Sequence, residues 1–352
     1  MNFIVRKSCP SDLDALLDFF KSAYGSDSAL ANESYLKWFF FNNGAIFQSS
    51  YVAIFEKKIV AHYGLLKTIF TNGINEYVVN FGVSSYTLKE YRGLGISTEI
   101  FNQIIKNEDN LAVVGFTPKT KSFYETKQFN LHDSNRFERF LKITNTREFT
   151  KICNINLNKF NSSRHKIETK IDEIGSIVNI TTENIESFNF NFNYNLLTTK
   201  RDSAYLRWRF LDCPFSEYKL FGYIKENEIS SLIVVKIEFV NENMFCLRLV
   251  DVFGELLELK SLLNNVENDL VNKNCLFIDY IHYQNIYGSL FVEFNYSHLT
   301  GDSFAEVPFY TNPISFADNN EYFGIHSENQ NLKFGDFYLT KMNSDRDRLN
   351  KL

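Results

Sequence analysis

Tyr91-Arg92-Gly93-Leu94-Gly95-Ile96-Ser97 is the stretch that decides the fold of this chain. Upstream, the strand-like run Glu76 to Ser84 leads through Tyr86-Thr87-Leu88-Lys89-Glu90 into it. Downstream, Ile96, Ile100, Phe101, Ile104 and Ile105 fall on one face of a helix. A strand therefore ends, the backbone turns at two glycines, and a helix opens. The free N–H groups and the positive dipole end of such a helix start hold phosphate oxygens. Glycine lets a pyrophosphate come close to the backbone, because no side chain stands in between. No Gly-Lys-Ser/Thr follows, so this is not a Walker loop, and the third glycine of the dinucleotide fingerprint is missing.

Toward the N-terminus, the strands Ile59 to Leu66 and Tyr51 to Phe55 flank the turn Glu56-Lys57-Lys58. Before them come an aromatic helix over Asn32 to Phe41 and a helix over Pro10 to Phe20 started by Ser11 and Asp12. A short strand occupies Phe3 to Val5. Toward the C-terminus, the strand Leu111 to Phe116 breaks at Pro118. A helical turn over Ser122 to Lys127 and a strand over Arg136 to Ile143 follow.

The order and spacing of these elements resemble the GNAT superfamily of acyl-coenzyme A-dependent N-acyltransferases. That family's Arg/Gln-x-x-Gly-x-Gly/Ala signature is similar to Arg92-Gly93-Leu94-Gly95-Ile96-Ser97, with Ser97 in the last small position. Its later Tyr and Gly-Phe resemble Tyr124 and Phe129, with Gln128 in place of the glycine. The resemblance covers roughly residues 1–145. It implies an α/β GNAT fold, a mixed central sheet with flanking helices, with acyl-coenzyme A as co-substrate. It implies that Arg92, Gly93, Leu94, Gly95, Ile96 and Ser97 take the pyrophosphate. The backbone of Thr87 and Leu88 would take the pantetheine arm, and Tyr124 would protonate the leaving thiolate. Lys121 adds a nearby cation.

The second half repeats the first without its loop. Tyr35-Leu36-Lys37-Trp38-Phe39-Phe40 recurs as Tyr205-Leu206-Arg207-Trp208-Arg209-Phe210, and the two tryptophans of the chain occupy matched places. Each copy leads into a strand, a charged turn and a second strand; in the second copy these are Tyr218 to Ile224, Lys225-Glu226-Asn227-Glu228 and Ile229 to Lys236. A repeat of this length implies two similar domains. Cys246 to Val252 then runs into Phe253-Gly254-Glu255, where one glycine remains and Glu255 repels a pyrophosphate. The helix Leu256 to Leu270, the strand Cys275 to Ile281 and the helix Ile286 to Phe291 follow, with closing strands at Phe304 to Phe309 and Asp336 to Lys341. Between the halves, Lys151 to Leu157 and Ser162 to Ile171 read as strands and Thr181 to Phe188 as a helix. The expected division is a GNAT acyl-CoA-binding domain over 1–145, a connecting segment and start of the second domain over 146–200, and a degenerate GNAT-like domain over 201–352 that helps bind the sugar nucleotide. This tandem layout resembles the sugar N-acyltransferases of surface-polysaccharide (O-antigen or capsule) pathways. The group acting on nucleotide-linked, for example dTDP-linked, 3-amino-3,6-dideoxyhexoses is the most similar in length and layout. The resemblance implies an acetyl or 3-hydroxybutanoyl donor.

Acylating an amine requires a held thioester, a polarised carbonyl, a neutral amine and a protonated leaving group. His62, in an otherwise apolar strand, has the titration range of a base; the competing reading is a packed core histidine. Asn80 and Ser84, four apart on one strand, would face the same way and orient the amine through a water. Lys37, Arg207 and Arg209 supply cations for a sugar-nucleotide diphosphate, and Phe40 and Trp208 supply rings; helix packing is the alternative for each. His282 and Tyr283 follow the apolar strand of the second half, at a position suited to an interdomain cleft.

Composition narrows the remaining classes. The 352 residues, 44% hydrophobic and 22% charged, describe a folded chain of about two domains. A net charge of −5 argues against a nucleic-acid partner, and no 18-residue apolar stretch spans a membrane. The start of the chain shows no secretion signal. Five scattered cysteines without a CxxC pair suit a reduced, cytoplasmic protein, as monomer or homodimer, and six histidines without HExxH leave a metal unsupported. Two other functions stay open: an N-acyltransferase for an amino acid, a peptide or aminoacyl-tRNA of the FemABX type, and a coenzyme-binding protein without catalysis.

Overall fold

Asn32 and Asp202 lie 170 positions apart, and each side chain accepts a hydrogen bond from the backbone N–H three residues on, of Tyr35 at 3.1 Å and Tyr205 at 2.9 Å. These caps start the short helices α2 (Glu33–Leu36) and α6 (Ser203–Leu206), each of which widens into a π-turn, Lys37–Phe41 and Arg207–Leu211. At the same offset, Glu56-Lys57 and Glu226-Asn227 have positive φ at both positions, the geometry of a two-residue hairpin turn. The repeat read from the aromatic hexapeptides is thus carried by caps and turns as well.

The computed structural model describes residues 2–41, 49–116, 118–155, 175–299, 305–308, 310–311, 314–316, 322–327, 332, 337–343, 347 and 351–352. In the first half, β1 (Ile4–Lys7) and α1 (Leu13–Tyr24) precede α2. The strands β2 (Ser49–Phe55), β3 (Lys58–Thr71) and β4 (Glu76–Thr87) follow. After α3 (Ile96–Asn107) come β5 (Asn110–Val114), α4 (Pro118–Thr126), β6 (Asn130–Arg136) and β7 (Glu138–Ile143). The connection holds α5 (Thr146–Phe149), β8 (Ser176–Ile180), β9 (Asn189–Phe190) and β10 (Thr198–Thr199). The second half, after α6, runs through β11 (Glu217–Lys225), β12 (Glu228–Phe239), β13 (Phe245–Phe253), α7 (Leu256–Leu270), β14 (Cys275–Tyr283) and α8 (Gly288–Glu293). It closes with β15 (Ser297–Leu299), β16 (Tyr310–Thr311), β17 (Ile314–Ser315), β18 (Tyr322–Ser327) and β19 (Leu339–Thr340).

Among the described residues the strands form two mixed sheets, in the orders β1-β2-β3-β4-β5-β18-β6, with β10 added on β3, and β15-β7-β14-β13-β12-β11-β8, with β9 added on β12 and β19 on β14; β16 and β17 pair separately. The chain changes sheet at β7, β10, β11, β18 and β19. β7 leaves the first half to pair with β14, Phe277 opposite Ile143, and β18 returns to lie between β5 and β6, Phe323 opposite Val114. Each sheet therefore holds strands from both sides of residue 145. Several local expectations change as well. Lys151 to Ile155 forms helix-end turns and a single bridge from Ile155 to Ala305, not a strand. Thr181 to Phe188 contains only the 3-10 turn Ile185–Ser187. Of the expected strand at Phe304 to Phe309 only 305–308 are described, and they hold that same bridge alone; the expected strand at Ser162 to Ile171 lies outside the described residues.

One face of the first sheet packs on α3 and α4 through Tyr63, Leu65, Ile96, Ile100, Phe101 and Phe129. The other face joins the second half. There Trp38 and Trp208 stack at 5.8 Å, and each indole N–H donates to the other's backbone carbonyl, at 2.7 and 3.1 Å. That reciprocal pair is the local two-fold relation between the halves. It satisfies both indole N–H groups inside a shared apolar core, where an unpaired donor is costly.

Candidate active site

β4 and β5 run parallel but pair only at Asn80 with Leu111 and Phe81 with Ala112. Beyond that point β4 continues for six residues without β5, and the sheet opens into a V. Within the V, β4 bulges. His62 pairs with Tyr86 and Gly64 with Val83, so Ser84 and Ser85 face the single residue Tyr63, and Ser84 takes φ +49°. The His62 ring nitrogen Nδ1 lies 3.0 Å from the Ser84 carbonyl oxygen and donates to it. Ser85, next along the bulge, is exposed.

The glycine loop lies at the mouth of this V. Gly93 and Gly95 hold φ +79° and +76°, a region that other residues enter at a cost. A Cβ at either position would meet nothing within 4 Å, so the loop is open to approach. α3 starts after Gly95 with no side-chain cap, and Arg92 to Gly95, Ser97 and Thr98 are exposed. Its first-turn N–H groups therefore face solvent. Thr87 and Ser97 join strand end to helix start, hydroxyl to hydroxyl at 3.0 Å. Arg92 is docked: its Nε donates to the Thr87 carbonyl at 3.0 Å, and its guanidinium covers the Tyr86 ring at 5.1 Å. Leu88 is buried, with its N–H donating to the Val60 carbonyl at 3.0 Å.

Tyr124 stands on α4, its ring against Phe116, Phe101 and Phe129 at 5.7, 5.9 and 5.2 Å. Its hydroxyl is hydrogen-bonded to that of Tyr63, and burial pushes its pKa above the ordinary phenol value. It is therefore a protonated phenol at neutral pH. Lys121 sits one turn earlier, 4.0 Å from the Glu125 carboxylate.

Other expected site residues lie elsewhere. His62 is 1% exposed, caged by Phe19, Phe20 and Phe40, and burial lowers its pKa to about 4. Buried and weakened as a base, its imidazole is not exposed to an arriving ammonium in this structure, and its Nδ1–H holds the bulge carbonyl. Asn80 is buried at the closed end of the V, with its amide donating to Glu108 and the Asn110 carbonyl, each at 3.4 Å. Ser84 is also buried, and the bulge breaks the alternation that would have set it facing with Asn80. Phe40 packs over His62, and Trp208 over Trp38. Arg209 is buried against Asp347 and the Met342 carbonyl. His282 stacks between Tyr280 and Phe140, its pKa lowered by burial to about 4, and Tyr283 packs on Phe323 and Phe137. Lys37 is exposed and Arg207 half-buried; Lys37 is ion-paired with Glu33 at 2.6 Å, and Arg207 with Glu186 at 3.6 Å and Asp212 at 3.7 Å. Tyr63 and Gly82 were not anticipated as site residues. The available signal was a glycine within the strand before the loop, which marks a close approach.

The equivalent opening in the second half is filled by its own chain. β13 and β14 pair in parallel as far as Leu249 with Tyr280, and β19 then enters between them. Tyr338 donates to the Val252 carbonyl at 2.6 Å, and the Met342 N–H to the Val250 carbonyl at 3.2 Å. Only Gly254 and Glu255 separate β13 from α7. The Glu255 N–H donates to the Ser231 hydroxyl, and Glu258 is buried beneath it, accepting from Ser230 and Ser231 at 2.7 and 2.6 Å. A carboxylate thus stands at the start of α7, where phosphate would bind.

Among the described residues no group of three His, Cys, Asp or Glu is placed to hold a metal, and no helix is long and apolar enough to cross a membrane. The buried histidines set an acid limit on stability. Each folded pKa lies near 4 and the unfolded value near 6.5, so the unfolded chain binds the proton first. Stability is complete above pH 6.5 and declines as pH falls toward 4. The urea midpoint is expected to drop measurably between pH 7 and about 5, with a smaller drop in His62→Gln than in the parent. A pH-independent midpoint would show that the imidazoles are not held neutral.

No family model and no curated protein matches the chain. Solved structures do. The chain superposes on a protein of Enterococcus faecalis V583 described as a probable N-acyltransferase, with a TM-score of 0.57 and 11% identity over 93% of this chain and 73% of that one. A GCN5-related N-acetyltransferase from Anabaena variabilis ATCC 29413 gives 0.55 and 10%, over 92% and 72%. One from Kribbella flavida gives 0.55 and 10%, over 93% and 72%. At such identities the likeness is one of fold. The fold is that of the GCN5-related N-acetyltransferases, with two such sheets flanked by helices.

Proposed function

We propose that the chain transfers an acyl group from acyl-coenzyme A to a primary amine by direct attack, with the first half as the catalytic domain. The observation that carries this reading is the open glycine loop at the head of α3, beside a V that β5 leaves unfilled, while the matched place in the second half is closed. The loop amides, with Arg92 and Lys121 nearby, would hold the pyrophosphate. The unpaired edge of β4 beyond Phe81 would hold the pantetheine arm. The amine nitrogen attacks the thioester carbon, the C–S bond breaks toward sulfur, and Tyr124 gives its proton to the departing thiolate. The ammonium proton goes to water, since the described residues offer no exposed histidine at the V.

The acceptor we propose is a nucleotide-linked amino-deoxy sugar of surface-polysaccharide synthesis, handled by a cytoplasmic enzyme. The tandem arrangement of the halves supports this, as do the cations Lys37, exposed, and Arg207, half-buried, at matched positions. The test offers acetyl-coenzyme A and 3-hydroxybutanoyl-coenzyme A with dTDP-linked amino sugars, free amino acids and dipeptides. Thiol release and product mass are read together. The expected product is one acyl group added to the nucleotide sugar. Acylation of amino acids or peptides alone would move the reading to the FemABX-like class. Coenzyme A binding without transfer to any amine would leave a non-catalytic binder.

A further inference from the structure

The Tyr63 ring lies on the α3 face of the first sheet, opposite the bulge of β4, and is 7% exposed. Phe101 meets its edge at 5.4 Å and the Tyr124 ring at 5.9 Å, so one phenylalanine gathers both tyrosines. Beneath the Tyr63 hydroxyl is Gly82. A methyl group there would overlap that hydroxyl and stand 2.9 Å from the ring carbon that bears it. Gly82 is also the first residue of β4 beyond its last pair with β5. The Tyr63 hydroxyl, hydrogen-bonded to that of Tyr124, therefore sits where the V begins, and only glycine leaves room for it.

We propose that Tyr63 is a positioning residue for Tyr124: seated on Gly82, it donates to the Tyr124 oxygen and so directs the Tyr124 proton into the cleft. This rests on the acyl-transfer reading above. A phenol carries one proton; with its oxygen engaged by Tyr63, the Tyr124 O–H points elsewhere. When the C–S bond breaks and sulfur takes its electron pair, the proton passes from Tyr124 to sulfur. The phenolate that remains keeps the Tyr63 hydrogen bond, now charge-assisted and stronger. Tyr63 keeps its own proton throughout, and water reprotonates Tyr124.

Tyr63→Phe keeps the ring and its packing and removes the donor. The expected loss is about 10-fold in kcat with KM for acyl-coenzyme A changed less than about 2-fold, because the interaction strengthens only as charge develops. Without the donor, Tyr124 ionises at higher pH, so the alkaline limb of the kcat profile moves up. In a Tyr124→Phe background, adding Tyr63→Phe should change kcat by less than about 2-fold, since both act on one proton. Losses that multiply in the double variant, or an unchanged kcat in the single one, would overturn the proposal. An ultraviolet tyrosinate titration of the parent and Tyr63→Phe, each compared with its Tyr124→Phe counterpart, reads the Tyr124 ionisation without turnover. If no amine is acylated by the parent, the functional reading fails, and this titration still decides the pairing: an upward shift supports it and no shift refutes it.

Discussion

Gly95→Asp is expected to weaken coenzyme A binding by about 100-fold or more, equivalent to about 2.7 kcal/mol. Gly95 holds φ +76° and precedes the first turn of α3, with open space where a side chain would stand. Aspartate tolerates the left-handed region better than most residues, so the fold should survive with a strain of about 1 kcal/mol. The new carboxylate would cap the N–H groups that a pyrophosphate needs and repel its charge. This reproduces in the first half the arrangement that Glu255 and Glu258 create at the start of α7. Gly95→Asn carries the same shape without the charge and should lose less than about 10-fold. Calorimetric titration of coenzyme A into the three proteins makes the comparison. Equal losses in Asp and Asn would show that charge is not the determinant, and full affinity in both would place the coenzyme elsewhere.

Tyr124→Phe is expected to lower kcat by about 100- to 1,000-fold, within the range of general acid catalysis, while coenzyme A affinity stays near that of the parent. The ring would remain packed among Phe101, Phe116 and Phe129, so binding surfaces are retained and only the proton is lost. Burial holds the Tyr124 pKa above the ordinary phenol value, so the acid form persists through neutral pH. The deficit should accordingly be similar at pH 7 and 8. Steady-state rates with saturating amine, under conditions where the chemical step limits turnover, are the measurement. Turnover equal to the parent's would remove Tyr124 from the mechanism.

Much of the architecture was legible because its signals are local. The loop at 91–97 announces a strand end, a tight turn and a helix start within seven residues. The 170-residue echo needs only two hexapeptides to be seen, and the caps Asn32 and Asp202 confirm it three positions upstream of each. The roles of aromatic and cationic side chains were far less legible. Trp208, Phe40 and Arg209 resemble recognition residues in sequence, yet each is covered by a partner more than a hundred positions away or on another element: Trp38, His62 and Asp347. His62 has the residue type of a base, but burial among three phenylalanine rings holds it neutral, against the opposing effect of the bulge carbonyl.

By itself, then, the amino-acid order determined the α/β class, the duplication, the cofactor-type loop in one copy and its loss in the other. These are properties of short windows, set by periodicity, glycine conformation and charge at one helix end. Tertiary structure alone decided that β18 enters the first sheet, that Tyr338 to Met342 fill the second opening, and that Tyr63 meets Tyr124 over Gly82. Those contacts join segments far apart in the chain. Which pairs form depends on the packing of the whole molecule and leaves no mark in the local sequence.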